Sequence, residues 1–293
     1  MEMFISQLIN GLSSGSIYAL VALGYTMVYG IVKLINFAHG DVIMVGSFII
    51  YLMIISVGLP FIPAVLLAMA GCALLGVLME KIAYKPLRKA TRLSALITAI
   101  GVSLFLQNLF MVVFRPDPRP FPALQVPGSF TLFGDVTVSY LAIVTIAVSM
   151  FMMVLLTLFV KLTKVGKAMR AVSEDAGAAS LMGVNVDFTI AITFAIGSAL
   201  AAVASALFAS TFPLVEPFMG LNMGLKAFVA AVLGGIGTIP GAMLGGIMLG
   251  IIESMTRAYI STQLSDAIVF SILILVLLIK PSGLLGKSVG EKV

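Results

Sequence analysis

Tryptophan is absent from this 293-residue chain, and cysteine and histidine occur once each, as Cys72 and His39. A single cysteine excludes an internal disulfide and a cysteine metal cluster. A single histidine excludes a multi-histidine metal site, and no serine–histidine–aspartate grouping stands out. No catalytic residue and no metal ligand set is therefore expected. Charge is scarce as well. Asp, Glu, Lys and Arg make up 10% of the residues, against about 25% in a typical soluble domain. With 61% hydrophobic residues and a mean hydropathy of +1.19, these counts exclude a soluble enzyme, a disordered chain and a nucleic-acid binder.

What the chain has is long apolar runs. They fall near 8–31, 34–56, 61–83, 94–114, 138–161, 187–211, 223–253 and 264–280. Most match the roughly 20 residues that cross a bilayer as helix. A transmembrane barrel needs alternating strands of about ten residues, and runs such as 268–279 do not alternate. Helices satisfy every backbone group within their own segment, which lipid demands. The expected fold is an all-α polytopic membrane helix bundle with about 8–10 spans, some broken or re-entrant, in one domain covering 1–293. Residues 1–3 lack a basic stretch, so the first run does not read as a cleaved leader.

The net charge of +5 is an orientation signal. Twelve of the 17 basic residues lie in three groups: Lys81, Lys85, Arg88, Lys89 and Arg92; Lys161, Lys164, Lys167 and Arg170; and Lys280, Lys287 and Lys292. By the positive-inside rule these face the cytoplasm, next to anionic lipid. The proline-rich segment 115–137 carries Arg115, Asp117, Arg119 and Asp135, which cancel, with Pro116, Pro118, Pro120, Pro122 and Pro127. It reads as a stiff outer loop. Parity then places the N-terminus outside and requires an even number of crossings after 186, where only three runs are visible. The missing crossing is expected inside 223–253.

Two places break the helical pattern: 34–41, and the Gly/Pro stretch 234–241. Glycine and proline interrupt helices, and matching interruptions in two halves of a transporter point to its substrate site. The candidate path residues are Asn36, His39, Gly40 and Asp41 in the first break and Gly237, Pro240 and Gly241 in the second. Ionisable groups within membrane segments are costly, which singles out Asp41 and His39; a helix-capping role for Asp41 is the plain alternative. Gly241, Gly245, Gly246 and Gly250 are spaced for close helix contact.

The segment 162–186 carries a helix-start signal at Ser173-Glu174-Asp175, a short helix of small residues through Met182, and a stop at Gly183 and Asn185. Its acidic centre is repelled by anionic lipid, so a groove on a cytosolic partner fits it better. Three stretches, 15–48 with Ile35-Asn36-Phe37-Ala38-His39-Gly40, 170–185 with Glu174-Asp175-Ala176-Gly177-Ala178-Ala179, and 227–253 with its Gly/Pro break, resemble the LivH-type permease subunits of bacterial branched-chain amino acid ABC importers. The resemblance spans nearly the whole chain. It implies alternating-access transport of branched-chain or related amino acids across the inner membrane. It also implies a homologous second permease subunit, two cytoplasmic ATPase subunits and a periplasmic substrate-binding protein that docks on surfaces such as 115–137 and 212–222, including Glu216. Glu174, Asp175, Ala178, Ala179 and Gly183 would form the coupling contact with an ATPase. The Leu-Pro that ends the corresponding loop in other importers is missing here.

No cofactor is expected in this chain, with ATP and magnesium held by the partner ATPases. Residues 283–288 resemble the end of a phosphate-binding loop, but Pro281 stands where the first glycine of that motif belongs, and neither strand nor helix flanks it. A secondary transporter driven by ions is the alternative reading. It usually carries carboxylates deep within its spans, whereas Glu80, Glu253 and Asp266 fall near segment ends and Lys226 can snorkel. A channel or scaffold would have no use for the 173–184 helix.

Overall fold

The structure is a computed structural model, which describes residues 2–88, 90–124, 126, 128–132 and 136–286. Expectations that fell on Met1, Lys89, Pro127, Asp135, Lys287, Ser288 and Lys292 lie outside these residues, as does the side chain of Arg92. Among the described residues, six helices are long and apolar enough to cross a membrane, and three shorter apolar helices accompany them.

In chain order the helices are α1 (Glu2–Val32), α2 (His39–Ile55), α3 (Phe61–Met79), α4 (Arg92–Phe114), α5 (Tyr140–Leu162), α6 (Lys164–Glu174), α7 (Ala176–Leu181), α8 (Val186–Thr211), α9 (Met219–Gly234), α10 (Ile239–Tyr259) and α11 (Ser265–Ile279). A π-turn at Glu80–Tyr84 and a 3-10 turn at Lys85–Leu87 prolong α3. Several helix starts are fixed by side chains that accept a backbone N–H of the first turn. Thr91 does so for α4, Ser139 for α5, Thr163 for α6, Asp175 for α7 and Asn185 for α8. The apolar run 223–253 resolves into α9 and α10, joined by a turn in which Gly235 and Gly237 have φ of 110° and 93°. The run in which parity placed a further crossing is thus two helices and a turn, and α9, at 16 residues, is one of the shorter apolar helices.

Lipid tails are as apolar as leucine, so helices associate in a bilayer through close packing of small residues. The α1–α10 seam works this way. A Cβ on Gly11 would lie 2.7 Å from the Ile251 backbone, and one on Gly15 would lie 2.9 Å from the Gly246 carbonyl oxygen. Gly246 and Gly250 press in return on Ala19 and Gly15. The pairing runs antiparallel and ends with Gly30 beside Gly237. The adjacent face of α10 serves α9: Gly245 lies against Ala230, and Gly241 against Gly234. The four glycines thus divide between two neighbours. Helices α1, α8 and α2 form the enclosed centre, while α3, α4 and α5 turn most of their surface outward.

The two ends of the bundle differ in charge. At one end Lys85 and Arg88 both grip Asp187 at the start of α8 (2.6 and 2.5 Å), and Arg88 also pairs with Glu80. The same end receives the C-termini of α1, α9 and α11. At the other end lie the start of α1, where Ser254 donates to the Gln7 carbonyl oxygen (2.9 Å), and four short strands. β1 (Arg119–Pro120) pairs with β4 (Leu214–Val215), and β2 (Ser129–Leu132) pairs with β3 (Val136–Ser139), both antiparallel. The β1–β4 ladder stitches the proline-rich loop to 212–218, so the two segments read as outer surfaces form one platform.

A buried charge network ties four helices together. Lys226 of α9 bonds Glu253 of α10 (2.7 Å) and Asp266 of α11 (2.8 Å). Tyr18 of α1 donates to Glu253 (2.6 Å), and Arg257 pairs with it too. Glu253 is 2% exposed. Lys226 is therefore a paired core residue, where the sequence suggested one that snorkels. Removing one partner of such a pair leaves an uncompensated charge, at a cost of about 3–5 kcal/mol, whereas replacing both with apolar groups is often neutral. Glu253→Ala should lower thermal stability in detergent by about that amount, and Lys226→Met with Glu253→Leu should recover most of it. Equal losses in the single and double variants would contradict this account.

Candidate functional site

After α1 the chain reverses at Lys33, whose φ is 57°, and residues 33–38 climb back alongside α1 without forming a helix. Six residues reach at most about 20 Å. Helix α2 therefore starts inside the bundle, with the His39 ring filling the space that Gly24 leaves on α1. Helix α9 starts nearby and runs the opposite way. A Cβ on Gly40 would lie 2.6 Å from the Gly220 carbonyl oxygen and 3.0 Å from the Gly224 backbone. Ten residues separate Gly224 from Gly234 at the end of α9. At 1.5 Å per residue that is about 15 Å, half the thickness of a hydrocarbon core. Two helix starts thus meet near the middle of the bundle. Neither Ala38 nor Phe218 supplies a side-chain cap.

A cavity of about 190 Å³ lies at this meeting point, lined by Gly40, Asp41, Ser103, Gln107, Gly220 and Gly224, with Ile100, Leu104, Leu221 and Leu225 as apolar walls. Asp41 is 1% exposed. Gln107 donates to its Oδ1 (2.8 Å) and to Ser103 (3.1 Å), while Oδ2 has no hydrogen-bond partner. Asn36 and His39 are equally buried but do not line this cavity: the Asn36 Oδ1 accepts from Tyr84 (2.7 Å), and His39 meets Tyr25 edge to face at 4.8 Å. Of the candidates in the first break, Gly40 and Asp41 line the cavity. Ser103 and Gln107 were missed. Their signal is a polar pair four residues apart in an apolar run, which puts both on one helix face.

The second break lies elsewhere. Gly237 and Pro240 are exposed in the turn at the basic end, and Gly241 is buried against Gly234. The group that faces Gly40 is therefore Gly220 and Gly224, two residues that sequence reasoning passed over. A second, separate cavity of about 860 Å³ lies nearer the basic end, lined by Leu93 and Leu96 of α4 and Tyr29 of α1, about one helical turn beyond Ile100 and Tyr25 of the first. In the opposite direction, Phe48, Phe110 and Phe114 stack with ring centroids 4.6–5.3 Å apart and fill the gap between α2 and α4.

Helices α6 and α7 project at the basic end. The anticipated helix start at Ser173 lies two residues further on: Ser173 belongs to the last turn of α6, and Asp175 caps α7 by accepting the Ala178 N–H (2.9 Å). An extended backbone at Asp175 separates the two helices and frees its carboxylate for capping. Gly183, with φ of 83°, ends α7 in a left-handed conformation, and the Val184 N–H closes on the Ala179 carbonyl oxygen (3.0 Å). Glu174, Asp175, Ala178 and Gly183 are exposed and Ala179 is buried beneath them. The tip carries Leu181 and Met182, 91% and 84% exposed.

The chain matches the family model for the branched-chain amino acid transport system / permease component over residues 7–277. It is 45% identical to the high-affinity branched-chain amino acid transport system permease protein BraD of Pseudomonas aeruginosa, over 99% of this chain and 98% of that one. It is 44% identical to the permease proteins LivH of Salmonella typhimurium and of Escherichia coli K12, with the same coverage. No solved structure matches. A multi-pass membrane protein of this sequence and architecture belongs to the branched-chain amino acid transport permease family, a membrane transport component and not an enzyme.

Proposed function

We propose that the chain is the permease subunit of an ABC importer for branched-chain or related amino acids, working by alternating access in the inner membrane. It would act with a homologous second permease, two cytoplasmic ATPases that bind ATP and magnesium, and a periplasmic binding protein. The observation that carries this reading is α7. Two large apolar side chains stand almost fully exposed at the tip of a helix on the basic end, beyond the membrane-spanning segments. An exposed apolar tip beside acidic Glu174 fits a protein groove better than anionic lipid. Family membership favours this reading over an ion-coupled transporter. The buried carboxylate Glu253, shared by Lys226, Arg257 and Tyr18, also fits a structural lock better than an ion relay.

The basic end is then cytoplasmic, with the C-terminus inside, the N-terminus outside and the β1–β4 platform facing the binding protein. The single cysteine is buried, so introduced thiols report sidedness cleanly. Ser180→Cys should react with an impermeant maleimide only in inside-out vesicles, and Thr262→Cys only in right-side-out cells. The reverse pattern would invert the topology.

A second test concerns coupling. Leu181→Arg with Met182→Glu should leave membrane insertion intact and remove the ATPase subunits from the purified complex. Hot-spot truncations at interfaces cost about 2 kcal/mol or more, so co-purification should fall at least roughly tenfold. An undiminished ATPase yield would count against α7 as the docking knob.

A further inference from the structure

Asp41 is the one point in the described bundle where a buried carboxylate is left half satisfied, and the surroundings say what would complete it. Glu80 and Glu253, the other buried carboxylates, each hold at least one cation. Among the described residues no Lys or Arg pairs with Asp41, and its Oδ2 has no partner at all. A carboxylate at the start of a helix gains from the helix dipole, which accounts for Asp41 tolerating its position. It does not account for the empty Oδ2, because burying an unpaired charged oxygen is expensive. The same cavity holds the start of α9, where Gly220 presents bare backbone and Phe218 provides no cap. The first N–H groups of a helix are an anion site. The N–H groups of Met219 and Leu221 are taken by the Glu216 and Phe218 carbonyl oxygens (3.2 and 3.1 Å), which leaves that of Gly220 between them. One cavity therefore offers an acceptor for a cation, a helix start with a backbone donor for an anion, and aliphatic walls at Leu104, Leu221 and Leu225.

We infer that this cavity is a binding site for an amino-acid zwitterion within the permease itself: Asp41 Oδ2 receives the α-ammonium, the start of α9 receives the carboxylate, and the leucines of α4 and α9 cover an aliphatic side chain. Gln107 is a positioning residue, since it holds Oδ1 and leaves Oδ2 to the ligand. The phenylalanines Phe48, Phe110 and Phe114 close the site on the side away from the basic end, and the larger cavity lined by Leu93, Leu96 and Tyr29 lies on the side toward it. This inference deepens the importer reading and rests on it for the substrate class.

The test uses the assembled importer with its ATPase subunits in lipid nanodiscs, without the binding protein. Radiolabelled leucine should bind at equilibrium. Two competitors dissect the site without altering the protein: 4-methylpentanoate lacks the ammonium group, and 3-methylbutylamine lacks the carboxylate. Each should compete about tenfold to a hundredfold less well than leucine, the loss expected for one charged hydrogen-bonding group. Asp41→Asn should weaken leucine by a similar factor, while Gln107→Glu, which repels Asp41, should weaken it without changing complex yield. Absence of leucine binding, competition by either analogue equal to that of leucine, or wild-type binding by a stably assembled Asp41→Asn complex would overturn the inference. ATP-driven uptake by the same complex with the binding protein separates the two readings. Uptake without a measurable permease site sinks this inference alone, whereas absence of ATP-driven uptake sinks the importer reading beneath it.

Discussion

The hydrocarbon core contains no water to satisfy an exposed amide, and this constraint organises the molecule around residues 33–38. A non-helical stretch at membrane depth survives only where protein encloses it. Enclosure here is built from missing side chains. Gly24 and Gly197 let α1 and α8 approach closely around the His39 ring. Gly220 and Gly224 let α9 touch the backbone of Gly40. The Asn36 side chain turns inward to Tyr84, and the His39 N–H returns to the Asn36 carbonyl oxygen (3.1 Å). Any bulkier residue at the contact points would push α9 off α2 and uncover the break. The close α1–α10 seam has the same logic, since it fixes α1 as the wall on which the break leans.

Charge obeys a parallel rule. The buried glutamates Glu80 and Glu253 each sit in a charge-balanced set whose other members reach toward the surface. Lys226 and Arg257 face Glu253 and Asp266, and Arg88 and Lys85 face Glu80 and Asp187. Such sets add little net stability over apolar packing but fix which helices stand together. The first set locks α9, α10 and α11 to α1. The second pins α3 to the start of α8 at the end where α7 projects. Asp41 stands apart from both, with an amide and a hydroxyl nearby in place of a cation.

The architecture was largely legible in the sequence because lipid makes apolar length a direct readout of helix. The run that parity of the basic clusters singled out, 223–253, is divided into two helices by the Gly/Pro turn at 234–241. Less legible was what the breaks do. The matching of the breaks at 34–41 and 234–241 rests on local spacing. The residues that meet Gly40 in space come from Gly220 and Gly224, and nothing in one-dimensional spacing marks that contact. The second break proved to be a tight turn at the bundle end, where short helices must reverse. Ser103 and Gln107 left a readable polar pair in an apolar run. Lys226 and Glu253 did not, since their partnership spans 27 residues and two further helices, α1 and α11, complete it. The helix at 176–181 was foreseen, but its cap was assigned to Ser173. Serine and aspartate cap almost equally well, and the extended backbone at Asp175 made the choice.

The two functional regions are physically continuous. Helix α7 is joined to α8 by four residues, and Asn185 among them caps α8 through the Phe188 N–H (3.0 Å). A displacement of α7 therefore bears on the start of α8 with little slack. There Asp187 is held by Lys85 and Arg88, which sit directly after the π-turn of α3. That turn carries Tyr84, whose hydroxyl holds Asn36 at the foot of α2. From the exposed tip to the broken segment each step is a hydrogen bond, an ion pair or a short covalent link. The π-turn is the step at which the regular helix ladder is interrupted, and such turns are frequent at functional sites. Glu80–Tyr84 thus lies on the path between the exposed tip of α7 and the glycine contact that shelters Asp41.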